Sequence, residues 1–448
     1  MSKAPASLPT RKSLVILISI STTILFSLTN NYVNLSRSQA SNVNAHPFSR
    51  LLPQLNDTVF YDSQVEETFL VPQTRDVEYV GRLRSNILLN QTAAEVSPLE
   101  SCSPTVQVQI IVQKDSNWLI QSIDENGRNK TVGGDEFYVT YSDSATNYTS
   151  MACAVALVDD QGNGAYRLRF STTPMASKLS NIPSVGTFKV SLQYTCGIGQ
   201  IPQPSKNSWP TGGYCMASWT RKNVTQPPIR QFTPPTDIDF SPYSLVVSFG
   251  DSLMEGLVRG AGKGEYFRNQ TSFKANIWQF LNLETLPLVQ LRLDQFHAKE
   301  LNASNVALVL GSSVWDILEQ DNIQGRGFKD HLEACRQFIQ NTQEKYPHVA
   351  LYWKSPSALH IHRVRQSCFT RKSCNKQLRY MSNSRAKYLY EEQKKIAHEM
   401  SIPFIDLFEA YYLSADWTMW SDGRHFVSEF NRRVLSWLYS SEQHHDHK

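Results

Sequence analysis

Clustered positive charge is missing from this chain of 448 residues. No run of Lys and Arg is longer than a pair such as Arg11-Lys12, so the formal net charge of +4 leaves no electrostatic footprint for nucleic acid. Cysteine is scarce as well: Cys102, Cys153, Cys196, Cys215, Cys335, Cys368 and Cys374 include no close pairs at metal-finger spacing. The terminal HHDHK is too short and too near the end to argue for a metal site, and no bound metal is expected. In an oxidising compartment these thiols would favour disulfides, with Cys368 and Cys374 as the expected local staple. Their odd number leaves at least one thiol free or bridged between chains. Internal repeats are absent, and so are long apolar runs, with one exception. Ser13 to Leu28 (SLVILISISTTILFSL) carries no charge and follows Lys3, Arg11 and Lys12, the charge order of a signal peptide or signal-anchor. It is short against the roughly 20 residues of a plasma-membrane span. No small-x-small cleavage site follows it, since Ser27 to Asn31 reads SLTNN. An uncleaved, Golgi-type anchor with type II topology and a lumenal remainder is therefore expected, a cleaved signal peptide and a secreted product being the alternative.

What is present supports a globular secretory protein with room for two domains, at 41% apolar and 19% charged residues. Eight N-x-S/T sequons begin at Asn34, Asn56, Asn90, Asn129, Asn147, Asn223, Asn269 and Asn302, the acceptors expected of a glycoprotein. Behind a tail (1–12) and the anchor (13–28), residues 29–99 have no sustained period and read as a stem with some structure late in it. Residues 100–222 then show short runs of period two, such as Val106, Val108, Ile110 and Tyr166, Leu168, Phe170, separated by Gly and Asp turns. That is the pattern of a small β-sandwich. In its QGNGAY hairpin, Gly162, Asn163 and Gly164 tolerate the positive φ that a tight primed or bulged turn requires. A Pro-rich stretch (223–242) reads as a linker. In residues 243–448 the rhythm becomes strand then helix: 243–250, 306–311, 348–355 and 402–407 are apolar runs, with helical stretches at 330–346, N-capped by Asp330, and 383–400. This alternation implies an α/β/α sandwich around a parallel sheet.

The chemistry-bearing residues sit at the ends of that domain. Its first strand runs into Gly250-Asp251-Ser252, placing Ser252 at a helix start where backbone N–H groups can hold an oxyanion. Near the C-terminus, Ser421-Asp422-Gly423-Arg424-His425 has the D-x-x-H spacing that lets one loop present both side chains. His425 would accept the Ser252 proton, and Asp422 would hold the imidazole tautomer. Basic and aromatic residues near these motifs, Arg259, Lys263, Arg268, Trp353, Lys354 and His360, form a candidate rim for an anionic sugar or an acyl donor's phosphates, against the plainer reading of solvated loop charge and a core Trp. Trp417 and Trp420 offer a sugar-stacking platform or, by default, packing.

Strand-GDS first and D-x-x-H last resemble the SGNH/GDSL hydrolase superfamily and, within it, the PC-esterase branch. The stretches Gly133 to Asp143, Ala154 to Phe170 and Gly186 to Tyr194 resemble a filamin-type immunoglobulin-like repeat. Both together, over residues 100–440, resemble the neurexophilin and PC-esterase domain (NXPE) family. The resemblance implies an SGNH-type fold after an immunoglobulin-like sandwich, with acyl transfer or ester hydrolysis on a glycan or glycoconjugate through an acyl-Ser252 intermediate. It assigns Ser252, Asp422 and His425 to catalysis, and Ser252, Gly311 and Ser313 to the oxyanion, Ser313 standing where many SGNH enzymes have Asn. The second oxyanion glycine is left among Gly260, Gly262 and Gly264. Asp251, Arg259, Trp315 and His360 are candidate substrate contacts. No bound cofactor is implied, and acetyl-CoA or an acetyl ester would enter as co-substrate. Transferase and hydrolase share every step up to deacylation and stay open, as does a catalytically degenerate glycan- or protein-binding protein.

Overall fold

The computed structural model describes residues 65–70, 105–113, 117–143, 151–176, 179–195, 213–235, 237–260, 271–272, 281–312, 314–318, 327–364, 381–418 and 422–439. All of them belong to one unit that starts at Val59. The Ser13–Leu28 segment, Cys368, Cys374, Ser313 and the sequons at Asn34, Asn56, Asn90, Asn147 and Asn269 lie outside them. Asn129, Asn223 and Asn302 are exposed. No helix among the described residues is long and apolar enough to cross a membrane.

The first half is a mainly antiparallel β unit. Its strands are β1 (Val65–Leu70), β2 (Gln107–Gln113), β3 (Trp118–Ile123), β4 (Glu136–Asp143), β5 (Ala154–Asp160), β6 (Ala165–Thr172), β7 (Val185–Thr195), β8 (Gly213–Thr225) and β9 (Ile229–Arg230). They pair along one path, β1-β2-β3-β6-β5-β4-β7-β8, with β9 beside β6. The strand β1 thus adds to this sheet from within the stretch read as a stem. Alternation puts every second residue inside, as at Val108, Ile110 and Val112 of β2. Although β3 and β7 lie four places apart in the pairing order, the Trp118 and Phe188 rings stack at 5.6 Å. The sheet therefore curls, and its two arms share one core. At the β5–β6 hairpin Gly162 and Gly164 take φ of 78° and 79°, as the turn requires. Asn163 does not; its Oδ1 instead accepts from the Ala165 N–H at 3.1 Å, a local side-chain cap in place of a left-handed backbone.

The second half carries a five-stranded, all-parallel sheet in the order β11-β10-β12-β13-β14. The strands are β10 (Leu245–Gly250), β11 (Thr271–Ser272), β12 (Val306–Gly311), β13 (Ala350–Lys354) and β14 (Phe404–Ile405). Every residue of β12 is buried, the signature of a strand covered on both faces. The helices are α1 (Ser252–Gly260), α2 (Leu286–Leu301), α3 (Val314–Leu318), α4 (Gly327–Lys345), α5 (Asn383–Glu399), α6 (Phe408–Tyr412) and α7 (Ser428–Trp437). The sequence placed Asp330 as the cap of α4, but that helix begins at Gly327, and Asp330 sits in its first turn.

The two halves share a core. Tyr138, Ala152, Val155 and Tyr194 of the β unit pack into the same buried cluster as the parallel sheet. The polar centre of the junction is Glu136 on β4, whose carboxylate sits at the N-terminus of α5. It accepts from Ser382 Oγ (2.7 Å), Asn383 N (2.9 Å), Ser384 N (3.0 Å) and Ser384 Oγ (3.1 Å). The first N–H groups of a helix have no intrahelical acceptor, so a carboxylate from another part of the chain both satisfies them and complements the dipole. Burial pushes the Glu136 carboxyl above its usual value, and the four donors only partly offset that.

Truncating Glu136 strands these donors in the interior. Glu136→Ala is expected to lower the free energy of unfolding, followed by urea titration, by about 2–4 kcal/mol. Because the folded carboxyl lies above its ordinary 4.5, the folded state holds this proton more tightly than the unfolded state. This group's contribution therefore falls as pH rises above that value, and Glu136→Gln should flatten the slope. A Glu136→Ala loss within about 0.5 kcal/mol, the range of an ordinary surface change, would show that the junction does not depend on this cap.

Candidate active site

Strand β10 ends in Gly250 for a steric reason. A Cβ there would lie 2.3 Å from the Gly311 carbonyl oxygen and 2.4 Å from Met254 Cγ. Only glycine lets the ends of β10 and β12 approach so closely while the chain turns into α1. Asp251, 3% exposed, points back at that helix, its Oδ1 accepting from Leu253 N (3.0 Å) and Met254 N (3.4 Å). It is a structural cap with no surface for a substrate, which corrects its place among the substrate contacts. Ser252, half-buried, opens α1.

Opposite Ser252 stands the loop before α7. A bridge between Thr418 and Phe426 ties its ends together. Within it Asp422 Oδ1 accepts from the Arg424 and His425 N–H groups, each at 3.1 Å, and Oδ2 lies 2.5 Å from His425 Nδ1. His425 Nε2 lies 2.9 Å from Ser252 Oγ. The carboxylate fixes the proton on Nδ1, so Nε2 carries the lone pair that the Ser252 hydroxyl faces. Burial pushes the Asp422 carboxyl up, but the hydrogen bond and charge of His425 and the charge of Arg424 outweigh it and hold it at about 2. Asp422 is thus ionised beside the imidazole at any ordinary pH.

His360 and Gly423 position this loop. Gly423 has φ of 61°, and a Cβ on it would sit 2.1 Å from the His360 carbonyl oxygen. The His360 N–H donates to the Gly423 carbonyl at 2.8 Å. His360 itself is fully buried, its ring against Tyr138, Tyr412 and Phe426 and its Nε2 2.9 Å from the Tyr411 carbonyl oxygen. Burial pulls the imidazole down to about 4, so it is neutral and Nε2–H donates. His360 is therefore a buried brace for the loop and not a substrate contact. The same correction applies to two other rim residues. Trp353 is buried, its Nε1–H donating to Gln393 Oε1 at 3.0 Å. Lys354 is also buried, bonded to the Ser355 carbonyl and lying over the Tyr411 ring at 4.9 Å, and burial pulls its ammonium down to about 8 against the charge of Asp251. The segment reads as a rim from its basic and aromatic letters, but the sheet end turns all three inward.

Of the remaining candidates, Gly311 ends β12 beside Gly250. Ser313, Lys263, Arg268 and Trp420 lie outside the described residues, and the Arg259 side chain is not described. Trp315 is half-buried under the Arg424 guanidinium at 5.6 Å, and Arg424 in turn lies 3.5 Å from Asp422. Arg424 lies inside the SDGRH motif, whose D-x-x-H spacing singles out only Asp422 and His425. Also unforeseen is the clamp on Ser312, whose Oγ donates to Asp316 Oδ2 at 2.6 Å and whose carbonyl accepts from Gln393 Nε2 at 2.9 Å. Among the described residues no cluster of His, Cys, Asp and Glu could hold a metal ion.

No family model matches the chain, and no curated protein matches it. Among solved structures it is similar to a lipase/acylhydrolase from Enterococcus faecalis, at 16% identity over 43% of this chain and 92% of that one, with a TM-score of 0.31. It is similar to a member of the lipolytic protein G-D-S-L family from Veillonella parvula at 13% identity, over 43% of this chain and 94% of that one, with a TM-score of 0.28. Phospholipase A1 from Streptomyces albidoflavus is similar at 14% identity, over 43% and 98% of the two chains, with a TM-score of 0.27. At TM-scores near 0.3 these likenesses carry no weight of their own, and the geometry of Ser252, His425 and Asp422 has to stand by itself.

A side chain at Gly423 would collide with the His360 carbonyl and strain a left-handed φ, displacing Asp422 and His425 from Ser252. Gly423→Ala should therefore slow labelling of Ser252 by a fluorophosphonate by at least about tenfold, since misplacement near 1 Å is worth as much as 10²-fold. Far-ultraviolet circular dichroism should stay unchanged. An unaltered labelling rate would mean that this turn does not position the pair.

Proposed function

We propose that this chain is a serine-dependent acyl-ester enzyme. One observation carries the reading: a single imidazole bridges a hydroxyl at a helix start, at 2.9 Å, and an ionised carboxylate, at 2.5 Å. Ser252 Oγ attacks the carbonyl carbon of an acyl donor as its proton passes to His425 Nε2. Asp422 holds the imidazolium so formed. The backbone N–H of Ser252, at the positive end of α1, supplies one oxyanion donor in this reading, and Gly311, at the end of β12, is the other group that the resemblance assigns to it. Collapse expels the donor's leaving group, which takes the proton from His425 and leaves acyl-Ser252. A second hydroxyl then attacks the ester, His425 again taking the proton, and its return to Ser252 restores the enzyme.

The finer reading is an O-acyltransferase or acylesterase of the secretory lumen, with acetyl as the group and a glycan as the acceptor. Its support is the set of motifs resembling the PC-esterase branch and a filamin-type repeat, together with the apolar run at Ser13 to Leu28 and the sequons, of which Asn129, Asn223 and Asn302 are exposed. If a sugar hydroxyl attacks, the enzyme is a transferase; if water attacks, it is an esterase.

The reading is tested with p-nitrophenyl acetate and the purified full-length protein in detergent. Ser252→Ala and His425→Ala should each lower the rate of p-nitrophenol release by about 10³-fold or more, and Asp422→Asn by up to about 10⁴-fold. Equal background rates in all four proteins would replace the enzyme with a binding protein on a degenerate fold.

A further inference from the structure

A cavity of about 690 Å³ lies between the β unit and the parallel-sheet half, away from Ser252. Its wall is assembled from Phe137 and Tyr166 of the β unit, Phe232 and Thr233 of the connecting segment, and Tyr390 and Tyr412 of the other half. Neither half could form it alone. Its volume is that of an ordinary small-molecule site.

The chemistry of the lining narrows the ligand. Phe137, Tyr166, Phe232, Phe408 and Tyr412 are buried behind the wall, and Tyr390, half-buried, presents the aromatic face; it stacks on Phe408 at 5.0 Å with 25° between the rings, which makes a rigid platform. Carboxylates outnumber cations in the lining, seven to three, and most of them are already met by donors of the protein. Arg169 grips Asp159 through two hydrogen bonds of 2.8 and 3.2 Å, Arg230 pairs with Glu409, and Asp406 accepts from both Tyr390 and Lys394 at 2.7 Å. That excess of negative charge disfavours an anion, and carboxylates already met by internal donors repay little of a cation's desolvation. The pairs still present oriented N–H groups and carboxylate lone pairs. One aromatic face beside many carboxylate acceptors matches a ligand with apolar C–H faces and a rim of hydroxyl donors.

The position of the cavity adds a second point. Asp406, Phe408 and Glu409 follow the carboxyl end of β14, and Ser252 follows the carboxyl end of β10. Both places therefore lie at the same end of the sheet, where open α/β sheets bind ligands. Three strand spacings separate β10 from β14, roughly 14 Å at about 4.8 Å each. A chain of several sugar units spans that distance.

We propose that this cavity is a non-catalytic holding site for a neutral oligosaccharide chain, whose hydroxyls are offered to acyl-Ser252 at the other end of the same face. The holding role rests on the acyl-enzyme reading above, and the binding is measured apart from it. Energy gained at a remote subsite is what positions an acceptor for reaction.

The test uses the full-length protein in detergent with maltotriose, cellotriose and chitotriose as probes and a Gly-Ser peptide of similar mass as control, read by saturation-transfer NMR and calorimetry. At least one trisaccharide should bind, with affinity unchanged within about twofold in Ser252→Ala and weakened at least tenfold in Thr233→Trp, which fills the cavity from an exposed position. Tyr390→Ala, which removes the platform, should weaken it similarly. Absence of trisaccharide binding, binding insensitive to both cavity variants, or binding of the peptide alone would each overturn the assignment. Fluorophosphonate labelling of Ser252 in the same samples separates the two claims. Labelling without saccharide binding sinks the cavity site and leaves the triad reading. Binding without labelling sinks the acyl-enzyme reading and the holding role with it.

Discussion

The hydrogen bond from the His360 N–H to the Gly423 carbonyl is the constraint on which the site depends. Ser252 needs no such tether, because the close meeting of Gly250 and Gly311 at the sheet's end fixes where α1 begins. Asp422 and His425 belong to a loop far along the chain and without regular structure. They reach Ser252 only because Gly423 adopts a left-handed turn against His360, and the Thr418–Phe426 bridge closes the loop behind them. His360 is held in turn by the ring of Tyr138, which belongs to the β unit. The geometry of a loop in one half is thus set in part by an aromatic residue of the other.

The same logic explains why the junction is buried and polar at once. Glu136 under the first turn of α5, the pairing of Gln193 with His362 at 2.9 Å, and the Ala152 N–H to Asp416 contact at 2.8 Å all cross it. Buried hydrogen bonds of this kind admit few alternative arrangements, because each shift would strand a donor or an acceptor in a low dielectric. An apolar junction would hold the halves together equally well and specify their angle less sharply. The angle matters here, since Tyr138 must meet His360 and the aromatic cavity exists only when the halves are in register.

Much of this was legible from local sequence. Period-two runs gave the β unit, apolar runs between helical stretches gave the parallel sheet, and GDS with D-x-x-H named the three residues that the fold brings together. Those signals are local, because a strand's burial and a turn's glycine leave their mark within a few residues. The errors arose where long-range packing decides. His360, Trp353 and Lys354 look like a rim in sequence and are buried, because nothing local records that the end of β13 and the segment after it turn under the Asp422–His425 loop. Asp251 looks like part of a site and is a helix cap. Glu136 meets its partners across 246 to 248 positions, a separation at which no spacing rule operates. Asn163 tolerates a left-handed backbone, but in the turn its side chain caps the Ala165 N–H while the two glycines take the positive φ.

The central claim is that Ser252 becomes covalently acylated. The most direct measurement is tandem mass spectrometry of the Ser252 peptide after rapid acid quench of the enzyme with an acetyl ester. The account predicts an added acetyl group on Ser252 in the unaltered protein and none on that peptide in His425→Ala. An unmodified Ser252 under conditions where the ester is turned over, or an acetyl group that forms equally in His425→Ala, would contradict it.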